Sequence, residues 1–499
     1  MSIHFYNIDH NYVGFSGSKE ILYELRAKYS FHTKNYKWDK RYKMGYWDGK
    51  ISLLNLKDMK MYRGLLPKVK SYLDREKIPY EDLTDPFGGR DFTNEQVKLF
   101  YKKIEGPFVP RDDQIDAFKN CVSSSRNIIL APTSNGKSYI IHGLNSYYKK
   151  LNKKVLIVIH RSNLVLQLKS NFVDEYGSDK IYTTSTIYED ADTDVKISTW
   201  QSLKDADQSW FKQFDVIIGD EVHGFKSKSL VNLIDKCGHI EYRHGFTATL
   251  DNDSETDALT LEGMFGTPYQ TITLKEQINQ GISARPIVYV LLLKYPIEER
   301  LDLINTINQE AKQALNKGKK VTDAFAFQVE SKYIESHERR NQLIVNIAKA
   351  QTGNTLIAFK NQAHGKTLLE NVKQEISDKP IFFVNGTVKK EKRFDIQKEI
   401  ETLTESISVV SFGTFSTGVN IPNLNNLIIG SQLKSEITVP QLIGRMVRIV
   451  EGKTTTNIID MCDDLSHSGN SNIFYRHFEQ RLKFYLKNNF EIKTKIIAI

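Results

Sequence analysis

The sequence predicts an α/β protein with two tandem parallel-sheet domains, a small basic α+β domain before them and a C-terminal helix after them. Three observations carry this. Short apolar runs rich in Val and Ile recur in two series, with helix-patterned stretches between them; runs that are apolar on both faces fit strands of a parallel sheet covered by helices on each side. Residues 1–90 hold 17 Lys/Arg against 11 Asp/Glu, so +6 of the formal +9 lies in under a fifth of the 499 residues. The final stretch, IFYRHFEQRLKFYLKNNFEIKTKI, sets Phe474, Phe478, Leu482 and Tyr485 near one helical face.

The first domain, 1–95, closes in the turn-rich DPFGGRDF. Within it, FHTKNYKWDKRYKMGYWDGK interleaves Phe31, Tyr36, Trp38, Tyr42, Tyr46 and Trp47 with Lys34, Lys37, Lys40, Arg41, Lys43 and Lys50. Aromatics stack on bases and cations hold phosphates, which makes Lys37, Lys40, Arg41 and Lys43 candidate DNA contacts. The alternative is a small domain that buries its aromatics and solvates its lysines; a mixture is expected, with about half of these aromatics in a core. Residues 96–283 supply the strands RNIILAP, KVLIVIH, DVKIST, FDVIIGDE and RHGFTAT of the first α/β domain. Residues 284–465 supply PIVYVLLL, NTLIAFK, PIFFVNG, ISVVSFG, NNLIIGS and TNIIDM for the second, with 301–350 read as a helical connection. Residues 466–499 are read as a helical extension whose apolar stripe packs on the second domain.

Composition narrows the classes. Hydrophobic content of 40% and charged content of 26% are ordinary for a globular protein. Every apolar run is shorter than the roughly 18 residues of a membrane span, and the N-terminus lacks a basic-then-apolar export layout. Cys121, Cys237 and Cys462 lie too far apart to suggest a disulfide framework or a zinc ligand set, so a cytoplasmic protein is expected. A basic end on a near-neutral body points to a polyanion, with nucleic acid first and no membrane, though a solvated face would carry the same charge.

Three stretches carry chemistry. In APTSNGKS, Ala131, Pro132, Thr133, Ser134, Asn135, Gly136, Lys137 and Ser138 lie between a strand pattern and a helix pattern. Backbone N–H groups and a helix N-terminus there suit a nucleotide phosphate chain. Lys137 would neutralise the β- and γ-phosphates, and the Ser138 hydroxyl would hold Mg²⁺. The loop pattern has glycine at the position of Ala131, which ordinary backbone angles would make unnecessary. FDVIIGDEVH follows, with Asp220 placed 83 residues after Lys137 to orient Mg²⁺ and Glu221 to deprotonate an attacking water. QLIGRMVR offers Arg445 and Arg448, three apart and so on one side of a helix, as countercharge for the transferring phosphoryl group.

In this order the stretches resemble superfamily 2 helicases over roughly residues 108–465. RDDQIDAF resembles the upstream Q-type motif, which implies that Arg111 and Gln114 read adenine. APTSNGKS resembles motif I, where alanine commonly leads. VIHRSNLVLQ, with Arg161, and ISTWQSL, with Thr199 and Gln201, resemble DNA-contacting motifs. DEVH is similar to motif II, whose His223 would couple nucleotide state to DNA contact together with Thr247 and Thr249 of GFTATL, similar to motif III. TLIAFKNQAHGKTL and FFVNGTVKKEKR resemble the motif IV region. FGTFSTGVNIP, with Gly418, and QLIGRMVR, with Gln441, resemble motifs V and VI. The resemblance implies two RecA-like domains with ATP and Mg²⁺ between them. DEVH and the short GRMVR look more like DNA-directed members than RNA helicases. The likeness is strongest to recombination and repair helicases of T-even-type bacteriophages. It implies work on branched DNA (forks, Holliday junctions, D-loops and RNA–DNA R-loops), with duplex and single strands as partners, in a bacterial host cytoplasm. The same motifs would serve a duplex translocase or annealing motor, and less readily a non-hydrolysing nucleic-acid-binding protein. Two departures stand out: Asn135 replaces the commoner second glycine of motif I, and Leu250 follows Thr249 where proline is frequent.

Overall fold

In the computed structural model the chain divides into two compact units, Met1–Thr273 and Leu274–Ile499. The structure describes residues 2–33, 36–133, 135–160, 162–177, 181–184, 194–225, 228–250, 255–316, 323–418, 421, 423–431, 433, 438–450 and 452–499.

In the first unit the five Val- and Ile-rich runs become neighbouring strands of one parallel sheet. Its order is Ile181–Thr184, Val195–Thr199, Val155–Ile159, Val216–Asp220, Tyr242–Thr247, Arg126–Leu130 and Pro268–Gln270. Side chains alternate across the pleat. Ile129, Val155, Ile157, Ile159 and Ile218 enter one buried cluster, while Ile128, Leu156, Val158 and Ile217 enter another on the opposite face. The two outermost strands are absent from the sequence reading; Pro268–Gln270 spans three residues, too short for a periodic signal.

The N-terminal residues form a separate five-stranded sheet, in the order Leu54–Asn55, Lys60–Tyr62, Tyr12–Ser16, Ile3–Asn7 and Tyr80–Asp82. It packs within the same unit as the parallel sheet. The Tyr12 hydroxyl donates to Asp235 at 2.8 Å, Asn11 donates to the Asp235 carbonyl at 2.9 Å, and Lys68 pairs with Glu262 at 2.6 Å. A Cβ on Gly64 would stand 2.2 Å from the Glu262 carbonyl oxygen, so this backbone approach requires glycine. The expectation that about half of the aromatics between Phe31 and Trp47 are core is corrected. Trp38, Tyr42 and Tyr46 are exposed, and Phe31, Tyr36 and Trp47 are only half-buried.

In the second unit the six predicted runs again form one parallel sheet: Ile381–Val384, Ser406–Ser411, Asn354–Phe359, Leu424–Ile429, Thr455–Asp464 and Arg285–Lys294, closed by Glu491–Ala498. Helices Ile297–Asn316, Asp323–Ser336 and Glu338–Ala350 occupy the predicted helical connection. The tail differs from its reading. Helix Ile473–Lys487 ends where Asn489 turns left-handed (φ 55°), and the following EIKTKIIA joins the sheet as an edge strand. Phe474, Phe478 and Tyr485 of that helix are buried in the second unit's core.

Two ion pairs lie in that core. Arg340 meets Asp463 at 2.7 Å, and Arg481 meets Asp460 at 2.7 Å. Arg481 also donates to the Leu433 carbonyl at 2.9 Å, and Tyr485 donates to Asp460 at 2.7 Å. Among the described residues, no helix is long and apolar enough to cross a membrane.

Candidate functional site

Strand Arg126–Leu130 delivers the chain into the phosphate-loop sequence, and helix Lys137–Lys150 leaves it. Gly136 caps the helix at φ 73°, a conformation that favours glycine. Ala131 keeps a negative φ, is fully buried, and donates its N–H to the Thr247 carbonyl at 3.0 Å, so the loop needs no glycine there. Lys137 Nζ donates to the Ala131 carbonyl at 3.3 Å and stands 3.7 Å from Glu221 Oε1.

Asp220 ends strand Val216–Asp220, and Glu221 turns sharply after it at φ 53°, its N–H bonded to Asp220 Oδ1 at 3.0 Å. Burial raises the Asp220 carboxyl above the usual carboxylate range, and the adjacent Glu221 charge raises it further, opposed by Lys137 and His223. His223 Nδ1 lies 3.2 Å from Glu221 Oε2 and 3.0 Å from Thr247 Oγ1, and Thr247 donates to the Thr249 carbonyl at 3.0 Å. Lys137, Asp220, Glu221, His223, Thr247 and Thr249 are therefore one connected group at the carboxyl ends of three neighbouring strands.

The donor set fits Mg²⁺. Ser138 Oγ accepts from Asn171 Nδ2 at 3.3 Å and lies 2.9 Å from the Tyr176 hydroxyl. With its proton given to Tyr176, it keeps one lone pair for a cation. Among the described residues, no group of three or more His, Cys, Asp or Glu could hold a metal. A single hydroxyl and a carboxylate suit an ion that completes its shell with phosphate oxygens and water.

Arg111 and Gln114, expected to read adenine, both contact Asn135 of the phosphate-loop sequence. Arg111 Nη2 donates to Asn135 Oδ1 at 2.6 Å and to its carbonyl at 2.8 Å, while its other contacts fall on Asp113. Gln114 accepts from the Arg111 N–H at 3.1 Å and donates to the Asn135 carbonyl at 3.1 Å. Asn135 is fully buried and also reaches Thr271 at 3.4 Å. The residue standing where glycine is common thus ties the phosphate loop to the Q-type segment.

Thr199 caps helix Trp200–Leu203 through Ser202 N at 3.3 Å and is largely buried, whereas Gln201 is exposed and donates to the His160 carbonyl at 3.3 Å. Lys37, Lys40, Arg41 and Lys43 are exposed. Ser134 and Arg161 lie outside the described residues. In the second unit, Gly418 ends helix Phe412–Gly418, while Gln441 and the buried Arg445 lie on helix Thr438–Met446. Arg448 is not on that helix, contrary to the expectation of one helical face. The Val447 carbonyl is taken by Ala284 N–H at 2.7 Å, and Lys453 Nζ caps the Met446 carbonyl at 2.6 Å, so the helix stops short of Arg448.

Sequence reasoning missed Tyr176, Asn171, Thr271 and Arg481. Each reaches its partner through tertiary packing, and none carries a local signal. Comparison with known proteins agrees with the motif order. Residues 1–81 match the family "DNA helicase UvsW, N-terminal", 107–252 match "Type III restriction enzyme, res subunit", and 338–450 match "Helicase conserved C-terminal domain". The chain is 28% identical to the ATP-dependent DNA helicase UvsW of Enterobacteria phage T4, over 97% of this chain and 95% of that protein. The crystal structure of T4 UvsW aligns with TM-score 0.50 and 25% identity over the whole of both chains. An HsdR-subunit fragment of a type I restriction enzyme from Vibrio vulnificus YJ016 shares the fold, with TM-score 0.54 and 15% identity over 90% of this chain and 77% of that one. The chain is an ATP-hydrolysing helicase, similar over almost its entire length to UvsW.

Proposed function

We propose that the chain hydrolyses ATP with Lys137, Asp220 and Glu221 and couples hydrolysis to the remodelling of branched DNA. The supporting observation is the 3.7 Å pairing of Lys137 with Glu221. The triphosphate competes for the Lys137 ammonium, and its arrival releases Glu221 to take a proton from the attacking water. Ser138 and Asp220 would hold Mg²⁺, which would supply charge neutralisation to the triphosphate. His223 links Glu221 to Thr247, so a shift of the Glu221 carboxylate on hydrolysis is felt at Thr249. Arg111 and Gln114 organise the loop through Asn135, with Ala131, Pro132, Thr133 and Gly136 forming its cradle. The likeness to helicases supports a part in ATP hydrolysis for Arg445 and Arg448, with Gly418 and Gln441. Arg161, Thr199, Gln201 and the basic segment of residues 1–95 engage DNA.

Forks, Holliday junctions, D-loops and R-loops are the substrates that the likeness to UvsW supports, and the bacterial host cytoplasm is the corresponding setting. The test is DNA-stimulated phosphate release. Lys137→Ala should abolish it with the fold intact, and Glu221→Gln should bind ATP yet turn over poorly; wild-type turnover by Glu221→Gln would remove the general-base role. Unwinding compared on flat duplex, fork, four-way junction and RNA–DNA loop tests the substrate reading and separates net unwinding from translocation.

A further inference from the structure

The antiparallel strands Ser30–His32 and Lys50–Ser52 stand apart from the five-stranded sheet and carry a lobe between them. The lobe has its own framework. Tyr36 stacks on His32 at 4.1 Å, meets Tyr42 edge-on at 4.8 Å, and closes over Gly49, where a Cβ would come within 2.4 Å of the ring. Trp47 donates its indole N–H to the Lys50 carbonyl at 2.7 Å, and Arg41, held by Asp39 at 2.9 Å, covers the Trp47 ring at 4.7 Å. Asp39 also caps the short helix Lys40–Lys43.

Trp38 and Tyr46 take no part in this framework. They are 66% and 82% exposed, and Met44 of the same stretch is 66% exposed. Lys43 lies over Trp38 at 5.0 Å. Residues 36–50 carry five Lys/Arg and two Asp, a net of +3, and Asp39 is already engaged by Arg41. Exposed planar rings interleaved with exposed cations match an anionic strand that presents bare base faces. In a continuous duplex those faces are covered by stacking. They open at single-stranded arms and branch points.

We infer that this lobe is a base-stacking finger: Trp38 and Tyr46 pack on unpaired bases at a DNA branch point while Lys37, Lys40 and Lys43 hold the flanking phosphates. The inference rests on the branched-DNA reading above and names the feature of that substrate which the lobe contacts. It also separates the aromatics by role. Tyr36, Tyr42 and Trp47 shape the lobe, and Trp38 and Tyr46 touch DNA.

The test uses the full chain with Trp38→Ala/Tyr46→Ala, and Trp38→Phe/Tyr46→Phe as the aromatic control. The probes are a labelled fork with two unpaired arms and a blunt duplex of equal nucleotide count, titrated by anisotropy across a salt series. Loss of two stacked rings should weaken fork binding by about tenfold or more. Duplex binding should change by less than twofold, and the slope of log affinity against log salt should hold because no phosphate contact is removed. The phenylalanine control should retain most fork affinity. A 2-aminopurine base at the branch should change fluorescence with wild type and not with the alanine variant. Equal losses on fork and duplex, or no loss on either, would overturn the finger. So would loss of binding to phosphatidylserine vesicles with fork affinity intact, which would assign the lobe to a lipid surface. A wild-type protein that binds fork no better than duplex refutes the branched-DNA reading itself. A wild-type preference that survives in the alanine variant refutes the finger alone.

Discussion

Arg481→Met should loosen the second unit by an amount set by its buried ion pair. Arg481 and Asp460 are both almost wholly buried, and the guanidinium makes three hydrogen bonds: 2.9 and 2.7 Å to the two Asp460 oxygens and 2.9 Å to the Leu433 carbonyl. Methionine fills similar volume but leaves Asp460 with the Tyr485 hydroxyl at 2.7 Å as its remaining described side-chain donor. Breaking a buried pair from one side costs about 3–5 kcal/mol, because the orphaned charge stays in low dielectric. That converts to a fall of roughly 150- to 4,000-fold in amide protection where opening of the unit controls exchange. Hydrogen exchange of peptides covering Thr455–Asp464, with mass detection, reads this directly; the four tryptophans all lie in the first unit and cannot. Arg481→Met/Asp460→Asn removes both charges and keeps an acceptor for Tyr485, so it should recover more than half of the loss. The effect should be insensitive to salt, since the pair is shielded from solvent ions. A fall in protection below tenfold in the single variant, or a double variant no better than the single, would refute the buried-charge argument.

Other outcomes follow from the first unit. Asn135→Gly removes the Oδ1 acceptor for Arg111, so the KM for ATP should rise up to about tenfold with little change in kcat; an equal fall in kcat would place Asn135 in the chemical step. Burial lowers His142 to about 4 and His244 to about 3 from an ordinary value near 6.5. The unfolded chain therefore binds more protons than the folded one between these values, and stability is lost as pH falls from about 6.5, by up to about 1.4 kcal/mol per pH unit per histidine. Denaturant midpoints followed by tryptophan fluorescence should drop between pH 7 and 5, less steeply in His142→Phe; a flat profile contradicts this. Replacing Lys37, Lys40, Arg41 and Lys43 together with alanine should weaken DNA binding and make the salt slope shallower by a few units at most. An unchanged slope would leave that charge as a solvated face. Arg448→Ala should lower the ATP hydrolysis rate far more than ATP affinity, and equal losses would make Arg448 a ground-state ligand.

The sequence by itself determined the two parallel sheets, because a strand buried on both faces writes itself as a continuous apolar run. RNIIL, KVLIVI and FDVIIGD all lie where the sheet places Arg126–Leu130, Val155–Ile159 and Val216–Asp220. It also marked the phosphate loop and the Asp220–Glu221 pair, since these depend on local order and a turn at a strand end. Tertiary structure decided what long-range contacts control. The edge strand Glu491–Ala498 is stabilised by Arg285–Lys294, some two hundred residues away, rather than by its own pattern. Arg448 leaves its helix because Ala284 claims the Val447 carbonyl that another turn would need. Arg111 clamps the phosphate-loop sequence because folding brings Asn135 within 2.6 Å of it. The aromatics of residues 31–47 could be sorted into framework and exposed rings only by their packing: one stretch of sequence holds both kinds, and burial depends on which neighbours the fold supplies.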